Sequence, residues 1–301
     1  MTVSGTEGTV SRPQLGRDAG YVFGAQVLAI GLGFAVNAIA ARTFAATEFA
    51  ALSWSLTWLA WLALCAQLGL MQAGTVIMAT EGDAALAARL RSIVRAVAIN
   101  GVVVGVLWWL VLGPLIAGAS EDADAYRSMI VAVALWVPVA AVAPVVAGML
   151  RGLHRFRDAA FYGEYVRRVI LLAAIATVVV TGAAREASTV ATITLAVESA
   201  IAIAVIVALD HSAQRRRPVE PIDAVSLRRR GLAFVLPTID APLIPQAGVW
   251  ILALVRPATE VAVLSVGVGI SFIFGLPVFV GARVLGPRYA RLYAEGGQLR
   301  S

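Results

Sequence analysis

Eight long apolar stretches follow one another along the chain, at about 19–41, 50–72, 95–117, 127–150, 164–183, 188–209, 232–255 and 260–284. At 1.5 Å of rise per residue, each crosses the ~30 Å hydrocarbon core of a bilayer as one helix. Only helices and closed barrels satisfy every backbone polar group in lipid. The pattern therefore predicts an all-α polytopic membrane protein of about eight transmembrane helices.

The polar segments between the stretches organise the chain. Residues 1–18 are polar, carry Arg12 and Arg17, and read as a tail. Residues 210–231 form the longest break, with two Arg triplets and the pair Pro218 and Pro221. They divide a six-helix lobe at 19–209 from the start of a second unit at 232–301. The second unit opens with a repeat. Pro257–Ser265 matches Ala45–Ser53 at six of nine positions, at an offset of 212 residues. Each copy joins two apolar stretches. Six stretches lie between the first pair and the second, so both copies share one orientation. The predicted symmetry is a parallel repeat about an axis along the membrane normal. The offset makes residues 232–301 the first two helices of a second lobe that needs about four more to match the first.

Composition agrees with this and removes other classes. The chain is 60% hydrophobic and 14% charged, with a mean hydropathy of +0.85; soluble domains carry about 25% charged residues. The net charge of +6 is made wholly of arginine on the basic side, since all 24 basic residues are Arg. Lysine-free, Ala- and Val-rich usage points to a GC-rich bacterial genome. Twenty arginines fall in the tail, the even-numbered loops and the C-terminal end. Four (Arg42, Arg127, Arg185 and Arg256) fall on the other side, with the acidic turn Glu121-Asp122-Ala123-Asp124. This asymmetry places both termini in the cytoplasm and the chain in a bacterial plasma membrane. It explains the basic charge without nucleic acid. Cys65 has no second cysteine to pair with, and His154 and His211 have no companion ligands, so neither a disulfide nor a metal site is expected.

Three segments resemble one known family. Ala41-Arg42-Thr43-Phe44-Ala45-Ala46-Thr47-Glu48-Phe49 is similar to an "A-R-x-L-G-x-x-x-F/Y-G" loop after the first span, with Ala46 and Ala50 where Gly is usual. Leu150-Arg151-Gly152-Leu153-His154-Arg155-Phe156 is similar to a "G-x-x-R-F" loop after the fourth. Pro287-Arg288-Tyr289-Ala290-Arg291-Leu292-Tyr293 is similar to a "P-x-x-A-x-L-Y" segment after the eighth. In this order and spacing the chain resembles the polysaccharide flippases of the superfamily that also contains multidrug-and-toxin exporters. The resemblance implies two six-helix lobes around a central cavity and translocation of a lipid-pyrophosphate-linked oligosaccharide. This chain departs from it by carrying one lobe and the start of another.

Candidate chemistry lies in polar residues at membrane depth. Glu198 falls near the middle of the sixth stretch and Asp240 in the seventh among Pro237, Pro242 and Pro245. A carboxyl there is costly, and either could hold H⁺ or Na⁺ coupled to transport. The alternatives are a carboxyl hydrogen-bonded to a neighbouring helix and, for Asp240, a wet position beside a kink. Asn37 and Asn100 are substrate-pathway candidates that serve equally as interhelical hydrogen-bond glue. A pyrophosphate needs cations along its path, which makes Arg283 and Arg95 candidates, set against interfacial snorkelling. Trp54, Trp58 and Trp61 share one face of the second stretch, for sugar stacking or for packing. No nucleotide-binding Gly-Lys-Ser/Thr motif and no Ser/His/Asp set occurs, so an enzyme and a bound cofactor are not expected. Two other readings stand beside the flippase: a multidrug exporter of the same superfamily, and a scaffold or enzyme of cell-envelope assembly.

Overall fold

The computed structural model describes residues 12–82, 86–120, 123–181, 186–214, 224–235, 247–271, 281 and 285. These residues are α-helical with no strand among them. Five helices among them are long and apolar enough to cross a membrane: Gly20–Thr43, Ala46–Gln67, Ala88–Gly118, Tyr126–Gly152 and Ala187–Leu209. The chain has an all-α polytopic membrane fold.

Helix α1 (Arg12–Thr43) turns at Phe44 and Ala45 into α2 (Ala46–Gln67). The turn has no glycine. Ala45 takes an extended conformation with φ −58° and ψ 154°, which ends one helix and starts the next. Helix α2 stops at Leu68 and Gly69, both left-handed at φ 45° and 72°, and resumes as α3 (Leu70–Glu81). A Cβ on Gly69 would lie 2.1 Å from the Gly231 carbonyl oxygen, so glycine is required there for space as well as for φ. Two long rods follow. Helix α4 (Leu86–Leu107) passes through a π turn at Trp108–Leu112 into α5 (Gly113–Gly118), where Pro114 supplies no amide hydrogen. Helix α6 (Ala123–Gly152) contains Pro138 and Pro144 without a break.

Helix α6 is the hub, and small residues let its neighbours close on it. A Cβ on Gly101 or Gly105 of α4 would meet Pro138 Cα at 2.6 Å or the Ala134 carbonyl oxygen at 2.5 Å. Gly148 and Gly152 of α6 likewise lie against the carbonyl oxygens of Met71 and Thr75 of α3. Both glycine pairs have four-residue spacing, the arrangement that brings helix backbones together in lipid. Thr75 Oγ1 donates to the Gly148 carbonyl at 2.9 Å across the second contact.

The loop after α6 closes with a reciprocal cap. His154 sits at φ 57°, its amide donates to Arg151 O and the Arg155 amide to Leu150 O, both at 2.9 Å. Helix α7 (Phe156–Ala160) then runs through a second π turn (Phe161–Tyr165) into α8 (Val166–Thr181) without interruption. The helix of the fifth apolar stretch thus begins at Phe156, not near residue 164; with Arg157, Asp158, Arg167 and Arg168 along it, it is not among the five helices long and apolar enough to cross a membrane. Arg167 and Arg168, counted with the cytoplasmic-side arginines at the start of the fifth stretch, lie near the middle of that helix.

Helix α9 (Ala187–Gln214) follows. Its first amide, on Ala187, donates to Glu48 Oε2 of the first repeat copy at 2.7 Å, so the repeat's glutamate caps a helix that starts 139 residues later. Part of the segment read as a linker is a helix, α10 (Ala224–Leu232), with Leu227 buried and Gly231 seated on the α2–α3 break. Helices α11 (247–255) and α12 (Ala258–Ser271) follow.

The repeat is structural as well as sequential. Residues 44 and 45 interrupt the first helix pair, and residues 256 and 257 interrupt the second, at the same offset. The Phe44 amide ends its helix on Ala40 O at 2.9 Å, and the Arg256 amide on Leu252 O at 2.9 Å. Helix α12 packs against α2 and α1.

Candidate functional site

The fold brings Glu198 to three helices at once. Its side chain is 4% exposed. Oε2 accepts from Trp136 Nε1 of α6 at 2.6 Å. Arg167 of α8 donates from Nη2 to Oε1 at 2.7 Å, from Nε to Oε1 at 3.0 Å, and from Nη2 to the Ala140 carbonyl of α6 at 3.3 Å. The result is an ion pair locked to a neutral donor, joining α6, α8 and α9. Paired charges are tolerated at membrane depth where single ones are not.

Local structure dictates this meeting. The π turn inserts an extra residue, with the Val166 amide bonded to Phe161 O, and rotates everything after it by about 100°. That rotation sets which face of α8 carries Arg167. Arg168, next along, packs on α1 instead: a Cβ on Gly33 would sit 3.4 Å from its Nε.

A small cleft opens beside Glu198. Glu198 and Val166 line it, with Tyr162, Val142, Ile201 and Val205 among its walls. It is apolar apart from Glu198 and the Tyr162 hydroxyl.

The other sequence candidates divide. Asn100 Nδ2 donates to Ala66 O at 3.2 Å. This is a carbonyl of the last turn of α2, left open by the break at Leu68, so Asn100 ties α4 to α2. Asn37 is half-buried on α1, and Arg95 is exposed on α4. Neither meets Glu198 through any interaction shown. Asp240 and Arg283 lie outside the described residues, as do Pro237, Pro242 and Pro245.

The tryptophans of α2 pack together. Trp54 is fully buried against Trp108 and Tyr126, with ring centroids 5.6 and 4.8 Å away. Trp58 stacks on Trp250 of α11 at 4.8 Å and 21°, and Trp61 meets Trp250 edge-on at 5.2 Å. The cluster closes the seam between the two repeat copies. The indole N–H groups of Trp54, Trp58, Trp61, Trp108 and Trp250 are buried there without an acceptor.

Sequence reasoning missed Arg167 as the partner of Glu198. One signal was available: from Phe156 to Thr181 no proline interrupts the chain, and Gly163 is the one glycine. An uninterrupted helix from Phe156 puts Arg167 near its middle and not at its start. Trp136 gave no such signal, because its meeting with Glu198 is wholly tertiary.

No family model, curated protein or solved structure matches this chain.

Proposed function

We propose that this chain is the translocating unit of a membrane transporter that moves a lipid-linked oligosaccharide or polysaccharide precursor across a bacterial plasma membrane by alternating access. The observation that carries the reading is the helix–break–helix unit repeated at a fixed offset of 212 residues, with the second copy packed on the first. Transporters that rock one repeat against another are built this way. Both termini face the cytoplasm in this reading, by the arginine asymmetry. The lipid-pyrophosphate-linked glycan is the substrate, the surrounding membrane lipid the solvent for its tail, and proteins of cell-envelope glycan assembly the neighbours that supply and use it.

Coupling to H⁺ or Na⁺ falls to Glu198 in this scheme, because its carboxylate is an intramembrane acid held by a cation that could be released. Asp240 and Arg283 keep the roles that the sequence suggests for them, a second coupling carboxylate and a phosphate-offsetting cation. The chain acts as a carrier, not an enzyme, and energy comes from ion or substrate gradients.

The test is a flipping assay. Proteoliposomes holding the full chain and a lipid-linked oligosaccharide with a fluorescent glycan are exposed to a membrane-impermeant quencher. Transport is expected to raise the quenchable fraction above that of protein-free vesicles, with dependence on an imposed H⁺ or Na⁺ gradient. No rise sinks the proposal. Efflux of hydrophobic cations by the same vesicles would favour the multidrug-exporter reading instead.

A further inference from the structure

We infer that α10 is a clamp set by the membrane surface: Arg229 and Arg230 take anionic phospholipid headgroups, and the docked helix holds the left-handed break between α2 and α3. The inference goes beyond the transport reading and does not rest on it.

The break is where the backbone is strained. Leu68 sits at φ 45° and ψ 43°, and Gly69 at φ 72°. Glycine takes that region freely, but a leucine there persists only where its surroundings hold it. Two neighbours do so. From one side, Asn100 Nδ2 of α4 donates to Ala66 O in the last turn of α2. From the other, α10 delivers Gly231. A Cβ on Gly231 would lie 2.6 Å from the Leu68 carbonyl oxygen and 3.1 Å from Leu70 Cδ2, so the α10 backbone touches both sides of the break. The Gly231 carbonyl in turn closes on Gly69 and accepts from the Phe234 amide at 2.8 Å.

The outer face of α10 carries the charge. Leu227 and Gly231, four residues apart, are buried, while Arg229 and Arg230 are exposed. Leu232 shares a face with Arg229 and is 58% exposed. Cation and apolar side chain on one outer face suit the boundary between headgroups and acyl chains better than bulk water. Depth agrees. Helix α2 is apolar enough to cross a membrane, and its 22 residues reach about 33 Å, close to the thickness of the hydrocarbon core. Its end at Gln67 therefore lies at the membrane surface, and α10 is seated on that end. The helix carries Arg228, Arg229 and Arg230 in sequence and no acidic residue. Such a cluster at headgroup depth is attracted by anionic lipid. Lipid that binds the docked helix stabilises docking by mass action, and with it the strained break.

The experiment is amide hydrogen exchange on the full chain in nanodiscs of phosphatidylcholine, alone or with about one third phosphatidylglycerol. In wild type, phosphatidylglycerol is expected to slow exchange about tenfold in Ala224–Leu232 and in 68–73, and to leave Ala187–Leu209 of α9 unchanged. The pair Arg229→Gln and Arg230→Gln should abolish the slowing in both segments. The pair Arg229→Lys and Arg230→Lys should keep it, because surface attraction needs the charge and not the guanidinium fork. Gly231→Ala should uncouple the two, with the slowing kept in α10 and lost in 68–73. The α9 amides report whether a variant has kept its fold. Should the Gln pair fail that control, high salt on wild type makes the same test, since screening is expected to remove the slowing. Equal exchange of α10 in both lipids, or slowing that survives the Gln pair, overturns the inference. Slowing in α10 without any in 68–73 of wild type overturns the clamp. An equal response to inorganic phosphate in phosphatidylcholine discs overturns the lipid surface as the partner.

Discussion

At the scale of the residue, the chain spends its few intramembrane polar groups on holding helices in place. Glu198, Arg167 and Trp136 are three side chains from three helices with one hydrogen-bond geometry. Truncating Glu198 to alanine leaves Arg167 with the Ala140 carbonyl alone from this set. Breaking a buried pair from one side costs about 3–5 kcal/mol, and the partial exposure of Arg167 puts the loss at the lower end. We expect Glu198→Ala to lower thermal stability in detergent by about 3 kcal/mol and Glu198→Gln by much less. A chemical-denaturation series on the two variants checks the difference. His154 makes a second residue-scale case. It holds a left-handed conformation at φ 57° to close the cap after α6. Glycine removes the Cβ strain and loses backbone entropy in exchange, so His154→Gly should stabilise by about 0.5 kcal/mol. A fall in midpoint would show that the imidazole, which packs edge-on to Phe156 at 5.9 Å, matters more than the backbone.

At the scale of the element, close helix packing depends on glycines that the chain can ill replace. Gly105 faces the Ala134 carbonyl and Gly152 the Thr75 carbonyl, where an added Cβ would come within 2.5 and 2.3 Å. Backbone carbonyls cannot swing aside as a side chain does, so the helices must separate. Overpacking of this kind costs about 1–3 kcal/mol. Gly105→Val and Gly152→Val should each destabilise by that amount, while Gly118→Ala, with open space around it, should be near neutral. Midpoints of the three variants under one detergent condition decide it. Helix boundaries were partly legible from sequence. Apolar length found α1, α2, α6 and α9. It misplaced the start of the helix in the fifth stretch, because the polar run Arg155–Arg157 reads as loop while its backbone is helical from Phe156. It also read residues 210–231 as a linker, where 210–214 extend α9 and Ala224–Leu232 form a helix docked on α3. In both cases tertiary contacts hold a polar segment helical that composition alone assigns to solvent.

At the scale of the whole molecule, the two repeat copies meet through rings. Trp58 and Trp250 stack across the seam, with Trp61 edge-on to Trp250. Aromatic pairs contribute about 0.5–1.5 kcal/mol each beyond area burial. Trp250→Ala should therefore loosen the second copy selectively. Hydrogen exchange is expected to quicken in 247–271 and to stay unchanged in Leu86–Gly118. Equal quickening in both would mean that the two copies open as one unit.

The sequence by itself determined the class of the molecule, because lipid leaves a chain this apolar one way to satisfy its backbone. It also showed the repeat, since a recurring turn at a fixed offset is a property of order along the chain. It singled out Glu198, because an isolated carboxylate in an apolar stretch is conspicuous without any structure. Only the tertiary structure decided what Glu198 holds. A π turn sets the face of α8 that carries Arg167, a helix continuous from Phe156 sets its place along the bundle, and Trp136 arrives from 62 residues away. The same holds for Asn100, a pathway candidate in sequence and a tie to the Ala66 carbonyl in space. Partners at long separation are fixed by helix rotation and packing depth, and neither quantity is written in the order of the residues.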